Sequence, residues 1–459
     1  MKIIAKIPDR IQKIILPKVR INEDTKLSYQ YLIKWVFISS LSGFLGVIVV
    51  HSFAFFIKKS YEFLQIFGLP LFLFPVIGAV INGALIYRIE PFAQGEGIPS
   101  YIKSLRNNMG VLSIKTTIFK YLAGIATIST FGNGGIVGPV GRVTAGVSSY
   151  MIDKLKKLGF TIEDVRTAAI CGMAAVVGTI FHSPVGGGIF AVEIIQKDKM
   201  GYKDLFPAIL SSSSAVYFAK ALGFKSFYQF FVVDEFMNLK MIGWLLVLAI
   251  IAGLAGGFYT WLYSTISKLI KRESGSIFIK VLTGSIIASL LSWLINPHLL
   301  GTSSSFMDAI LVKDMYILRG NISSSIPIFI ILIIMLLVKS LANCITVGSG
   351  MSAGFTGPAA IVGMLIGITF AEILNIDNST ATHFAFIAAG FSGMLASSMN
   401  IPIAAAVMTI EIFGLYYSLP AGLSAVIGFQ ITRNKTIYEY AVKEISSTSE
   451  HNITKIKNI

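Results

Sequence analysis

Apolar residues in this chain run in long blocks, not in the alternation of a strand or the narrow stripe of a soluble amphipathic helix. Blocks at 31–57, 66–88, 240–271, 276–297 and 325–345 are long and predominantly apolar. Each is long enough to cross the ~30 Å hydrocarbon core of a bilayer with some tilt. Residues 95–222 and 348–432 are also apolar but are interrupted by glycine and proline. Their pieces read as about 10–18 residues, short of the ~20 that a span needs. Broken helices are tolerated at membrane depth only where their freed backbone groups face protein or a water-filled cavity. A channel or transporter needs such groups, and a passive anchor does not.

Composition agrees. Of 459 residues, 54% are hydrophobic and 13% charged, and mean hydropathy is +0.75. Soluble chains carry about 25% charge, so a set of soluble domains is excluded. The net charge of +15 reads as the positive bias of cytoplasmic segments. No aromatic-laced basic domain exists to bind nucleic acid. Cys171 and Cys344 lie in apolar stretches and make neither a disulfide nor a zinc framework. Met1 to Lys34 holds eight Lys or Arg, with Pro8 and Pro17, which fits an amphipathic helix on the cytoplasmic membrane face better than a signal peptide. Arg433 to Ile459 holds five more. Both termini are therefore expected in the cytoplasm, with an even number of crossings of the cell membrane. The expected organisation is 1–30 N-terminal amphipathic segment, 31–222 first membrane repeat, 223–432 second repeat, and 433–459 last short helix and tail.

The two repeats rest on spacing. Gly172, Pro184 and Glu193 are 12 and 9 residues apart, and so are Gly390, Pro402 and Glu411. Upstream, Gly135-x-x-Gly138-Pro139 is matched by Gly354-x-x-Gly357-Pro358, and the offset is 218 or 219 throughout. Interrupted segments at corresponding places in two halves point to a transporter-type fold with its ion site at the repeat interface.

Three glycine-rich stretches each lead into a short helix: Gly95 to Pro99, Gly135 to Pro139 and Gly354 to Pro358. Proline suits the first turn of a helix, where its missing N–H costs nothing. Glycine lets backbone approach a ligand closely. The free N–H groups and positive dipole end of such a helix bind anions. Three of them converging would replace an anion's hydration shell, although glycine and proline at these places also serve close helix packing.

On these residues the chain resembles the CLC family of chloride channels and chloride/proton antiporters. The family's G-S-G-I-P is similar to Gly95–Pro99, its G-(K/R)-E-G-P to Gly135–Pro139, and its G-x-F-x-P to Gly354–Pro358. Its pore tyrosine resembles Tyr438 in KTIYEYAV. The resemblance implies an all-α multi-pass fold of two inverted repeats of broken and tilted helices, about 18 in all, and a homodimer in membrane lipid with one pore per subunit. It also implies chloride or another small anion as the partner and no cofactor. The implied anion-binding residues are Glu96, Gly97, Ile98, Val137, Gly138, Phe355, Thr356, Gly357 and Tyr438.

The departures bear on mechanism. Val137 stands where the family has a glutamate that plugs the pore and carries the proton, and Ile194 stands where antiporters have an inner proton-relay glutamate. The usual proton path therefore lacks titratable steps, and passive conduction is expected. Glu96 replaces the serine whose hydroxyl faces the central anion, and Thr356 replaces the third motif's aromatic, with Phe355 one place earlier. Ionised, Glu96 could occupy the site itself; protonated, it would release it. Alternatively it turns to the aqueous vestibule or pairs with Arg142. A proton-coupled transporter using Glu96 is the second mechanism. Glu96 and Val137 are the expected gating positions.

Lys120 and Arg142 are candidates for the pore's positive potential. Lys120 could instead snorkel to the surface, and Arg142 could pair with Glu193 or Glu96. Glu193 and Glu411 read as structural, at helix ends. Gly390-Phe391-Ser392-Gly393 and Gly350-Met351-Ser352-Ala353-Gly354 resemble hydrolase serine motifs, but no histidine base lies suitably placed and no strand leads in. An enzyme is not expected.

Overall fold

The computed structural model describes residues 23–66, 70–195, 201–224, 233, 235–377, 379–433 and 435–443. The first part of the expected N-terminal amphipathic segment and the end of the C-terminal tail lie outside them. Among the described residues there are seventeen α-helices.

In chain order they are α1 (Glu23–Ile66), α2 (Leu73–Arg88), α3 (Ile98–Asn107), α4 (Ile114–Ile128), α5 (Val137–Lys154), α6 (Ile162–Phe181), α7 (Pro184–Glu193) and α8 (Tyr202–Ala221), then α9 (Ile242–Arg272), α10 (Ile277–Ile295), α11 (Ser304–Val312), α12 (Met315–Arg319), α13 (Ile328–Gly348), α14 (Thr356–Ile373), α15 (Ala381–Met399), α16 (Pro402–Phe413) and α17 (Ser418–Thr432). A further helical stretch, 437–443, carries Tyr438. Among the described residues, six segments are long and apolar enough to cross a bilayer.

Two readings of the sequence are corrected. The block at 66–88 is not one span: its helix begins only at Leu73 and has 16 residues. The glycine-broken regions hold helices longer than expected, with 20 residues in α6 and 19 in α15. Glycine there allows close packing and does not break the helix. A Cβ on Gly172, inside α6, would lie 2.7 Å from the Thr144 carbonyl of α5, so the two backbones touch where a side chain would hold them apart.

The repeat is visible in backbone detail. His182 and Asn400, 218 residues apart, both end a helix in the left-handed conformation, at φ 55° and 62°. The next helices, α7 and α16, then cap each other. Glu193 accepts from the N–H groups of Ile403 and Ala404 at 3.0 and 2.7 Å. Glu411 accepts from those of Val185 and Gly186 at 3.0 and 2.9 Å, and from the Ser183 hydroxyl. Every pair is related by the same offset of 218. Each carboxylate thus satisfies orphan donors at the start of the other repeat's helix.

Candidate functional site

The starts of α5 and α14 meet back to back. Gly135 and Gly354 form an antiparallel bridge, with N–H to carbonyl distances of 2.9 and 2.7 Å in the two directions. Both helices then begin two residues later, at Val137 and Thr356. A Cβ on either bridge glycine would sit 2.9 Å from the opposing backbone, so only glycine permits this approach. Gly357, in the first turn of α14, lies against Gly135.

The start of α3 reaches the same place. Gly97 caps it at φ 115°, a conformation side chains rarely adopt. A Cβ there would lie 2.7 Å from the Gly138 carbonyl. Glu96, 4% exposed, points its carboxylate into the convergence. One oxygen accepts from the Ile98 N–H at 2.7 Å. The other accepts from the Tyr438 hydroxyl at 3.1 Å. A Cβ on Gly138 would collide with the carboxylate. The carboxylate is therefore held by the donors that a free anion would use.

Thr356 and Tyr438 complete the pocket, their hydroxyl oxygens 3.3 Å apart. Phe355 is fully buried and meets Tyr263 edge-on at 4.7 Å between centroids, with Tyr259 and Tyr438 beyond at 6.2 and 6.3 Å. Val137 is buried at the first position of α5. Glu96 also borders a cavity of about 380 Å³ lined by Gln94, Ser100, Lys103, Lys120 and Arg142. Tyr438 also lines a second cavity, of about 20 Å³, with Arg106, Glu193, Ile194, Asn400 and Glu439, enough for a water.

Both candidate cations are buried. Lys120 does not snorkel: its Nζ donates to the carbonyls of Ala93 (3.0 Å), Gln94 (3.3 Å) and Gly95, the loop that carries Glu96. Arg142 donates to Ser100 Oγ and Thr117 Oγ1, each at 3.0 Å, and its hydrogen bonds go to neither Glu96 nor Glu193. Ser392 sits within α15 and donates to the Ala421 carbonyl at 2.8 Å. Sequence reasoning passed over Lys339, Asn343 and Tyr259. Tyr259 donates to the Asn343 amide oxygen. The Asn343 amide nitrogen donates to the Asn133 and Gly354 carbonyls at 3.1 and 3.2 Å, tying the bridge to α13. The equal spacing of Lys120 and Lys339 from their motifs was the signal that could have found the lysine.

Such a site, helix starts gathered around one buried negative charge in a multi-pass helical fold, defines a membrane protein that handles small anions. The chain matches the family model described as voltage gated chloride channel over residues 77–433, and it belongs to that CLC family, whose activity is anion transport. An uncharacterized protein of Methanocaldococcus jannaschii is 28% identical over 90% of this chain and 96% of its own. A chloride/fluoride channel protein of Pseudomonas syringae pv. tomato is 22% identical over 89% and 86%. Among solved structures, a CLC-type fluoride/proton antiporter superimposes with a TM-score of 0.75 at 19% identity, covering 89% of this chain and 98% of the other. A slow cyanobacterial Cl-/H+ antiporter also gives 0.75, at 17% identity and coverages of 90% and 97%. These structural likenesses carry the fold, two inverted repeats of broken helices.

Proposed function

We propose that this protein is a homodimer that conducts a small anion, chloride first among candidates, down its gradient across the cell membrane, and that the Glu96 carboxylate closes each pore. The observation that carries this is the Glu96 carboxylate in contact with the Ile98 N–H and the Tyr438 hydroxyl. Two anions do not share one set of donors, so the carboxylate must leave before the permeant ion binds. Protonation removes its charge, and with it the attraction of the helix dipoles. The ion would then lie between the starts of α3, α5 and α14, touching the N–H groups around Gly97, Ile98, Gly138, Phe355 and Gly357 and the hydroxyls of Thr356 and Tyr438. Val137 would form an apolar wall beside it. Lys120 and Arg142 would add positive potential to the larger cavity.

Passive movement is favoured because Glu96 borders that cavity, whereas Val137 and Ile136, at the start of α5, are apolar and buried. A carboxyl group that meets water from one side gates an ion without carrying protons across. Proton coupling is the second reading. It is favoured by Tyr438, which touches Glu96 and also lines the small cavity with Glu193 and Glu439.

Chloride efflux from vesicles holding the purified protein tests the gate. Efflux should rise as pH falls. Glu96→Gln, neutral at every pH, should be faster than wild type at neutral pH and lose the pH dependence. A Glu96→Gln profile that follows wild type in rate and pH would overturn the gate.

A further inference from the structure

Lys339 lies in the middle of α13, fully buried, and plays no part in the site as described. Its Nζ donates to the Leu299 carbonyl at 2.9 Å, the Gly301 carbonyl at 3.0 Å and the Ser303 hydroxyl at 2.6 Å. All three ammonium donors are used, and every acceptor belongs to one loop. A buried cation held only by neutral dipoles is costly at membrane depth, so an apolar residue would be the default there.

The loop it holds is not isolated. Gly301 donates its N–H to the Phe131 carbonyl at 2.9 Å and accepts from the Gly134 N–H at 3.3 Å. The next residue, Gly135, is the bridge glycine, and α5 begins two residues later. Lys120 repeats this arrangement in the other half. It donates to the Ala93 and Gly95 carbonyls, and Gly95 donates its N–H to the Gly350 carbonyl at 3.0 Å, four residues before the other bridge glycine. The parts are repeat mates. Lys120 and Lys339 are 219 residues apart, as are Phe131 and Gly350, while Ala93 and Leu299, and Gly95 and Gly301, are 206 apart.

We propose that Lys339 is a positioning residue for the anion site: through loop 299–303 it braces the start of α5, as Lys120 braces the start of α14. The inference rests on the reading of those two helix starts as walls of the anion site. Loss of Lys339 would shift Gly138 against the bound anion without removing a group that touches it.

The test compares Lys339→Met and Lys339→Arg with wild type in vesicles, measuring rate and half-saturating concentration for chloride, bromide and nitrate. Lys339→Met should raise the half-saturating chloride concentration about tenfold, the scale of losing charge-assisted hydrogen bonds. It should also change the nitrate-to-chloride ratio. Lys339→Arg, which keeps charge and donors, should restore most of both. If Lys339→Met yields no folded protein, Ser303→Ala, which removes one acceptor, should give a smaller shift of the same sign. Variants that scale all three anions by one factor, with half-saturation unchanged, would overturn the inference while leaving the anion site in place. Wild-type vesicles that pass no anion would instead overturn the reading of the site, and the inference with it.

Discussion

Residues 93–97 and 299–303 are repeat mates that precede α3 and α11. In both, a buried lysine donates to the first and third carbonyls, and the third residue, a glycine of positive φ, reaches across to the other repeat. They part at the fourth position. Glu96 sends a carboxylate into the meeting point of the helix starts, whereas its mate is Thr302. The two halves thus share the lysine bonds to the first and third carbonyls and the positive-φ glycine, and the carboxylate belongs to one half alone. What the fold needs is written twice, and what the site does is written once.

The largest effect should come from removing the unique group. Glu96→Ser or Glu96→Gln should bind bromide in the pocket at least about tenfold more tightly than wild type at neutral pH, because a tethered competitor at high effective concentration is gone. Anomalous density should then lie within hydrogen-bonding reach of Thr356, Tyr438 and the Gly97 and Gly357 region. Bromide found only at surface lysines would break the assignment.

Next comes the shared scaffold. Lys120→Met leaves the carbonyls of Ala93 and Gly95 without their donor, at about 1–3 kcal/mol of stability, and should lower the melting temperature in detergent. An unchanged melting temperature would show that the loop holds itself. Tyr438→Phe removes one of the donors to Glu96 and should free the carboxylate by about 1 kcal/mol. The onset of flux should then be measurably altered while the pH dependence persists. The smallest effect should come from the reciprocal caps. Glu193→Gln and Glu411→Gln keep one acceptor oxygen, set an amide NH2 against the second backbone N–H and lose charge at a helix start, and each should cost about 1 kcal/mol. The loss read from thermal melts should be the larger for Glu411→Gln, whose carboxylate also accepts from the Ser183 hydroxyl.

Much of the fold was legible because backbone requirements choose residues. Gly172, Pro184 and Glu193 recur as Gly390, Pro402 and Glu411 since a close helix contact, a helix start and its cap need those side chains. The three glycine-proline stretches disclosed the helix starts for the same reason. Other features were not legible, since they depend on partners far along the chain. Glu193 finds its donors 210 residues away, at Ile403. A single lysine in an apolar run reads as snorkelling, and only the positions of the Ala93 and Leu299 carbonyls show that Lys120 and Lys339 turn inward. The outcome for Glu96 depended on which way one side chain points, which spacing does not encode.

As proposed, Glu96 gates an anion path without carrying protons through it. Chloride and proton movements recorded together from reconstituted vesicles under an imposed chloride gradient test it most directly. Chloride flux should speed up as pH falls, with no stoichiometric proton flux at any pH. Uphill proton movement driven by the chloride gradient, abolished in Glu96→Gln, would contradict the proposal and make this protein an antiporter with its proton carrier at Glu96.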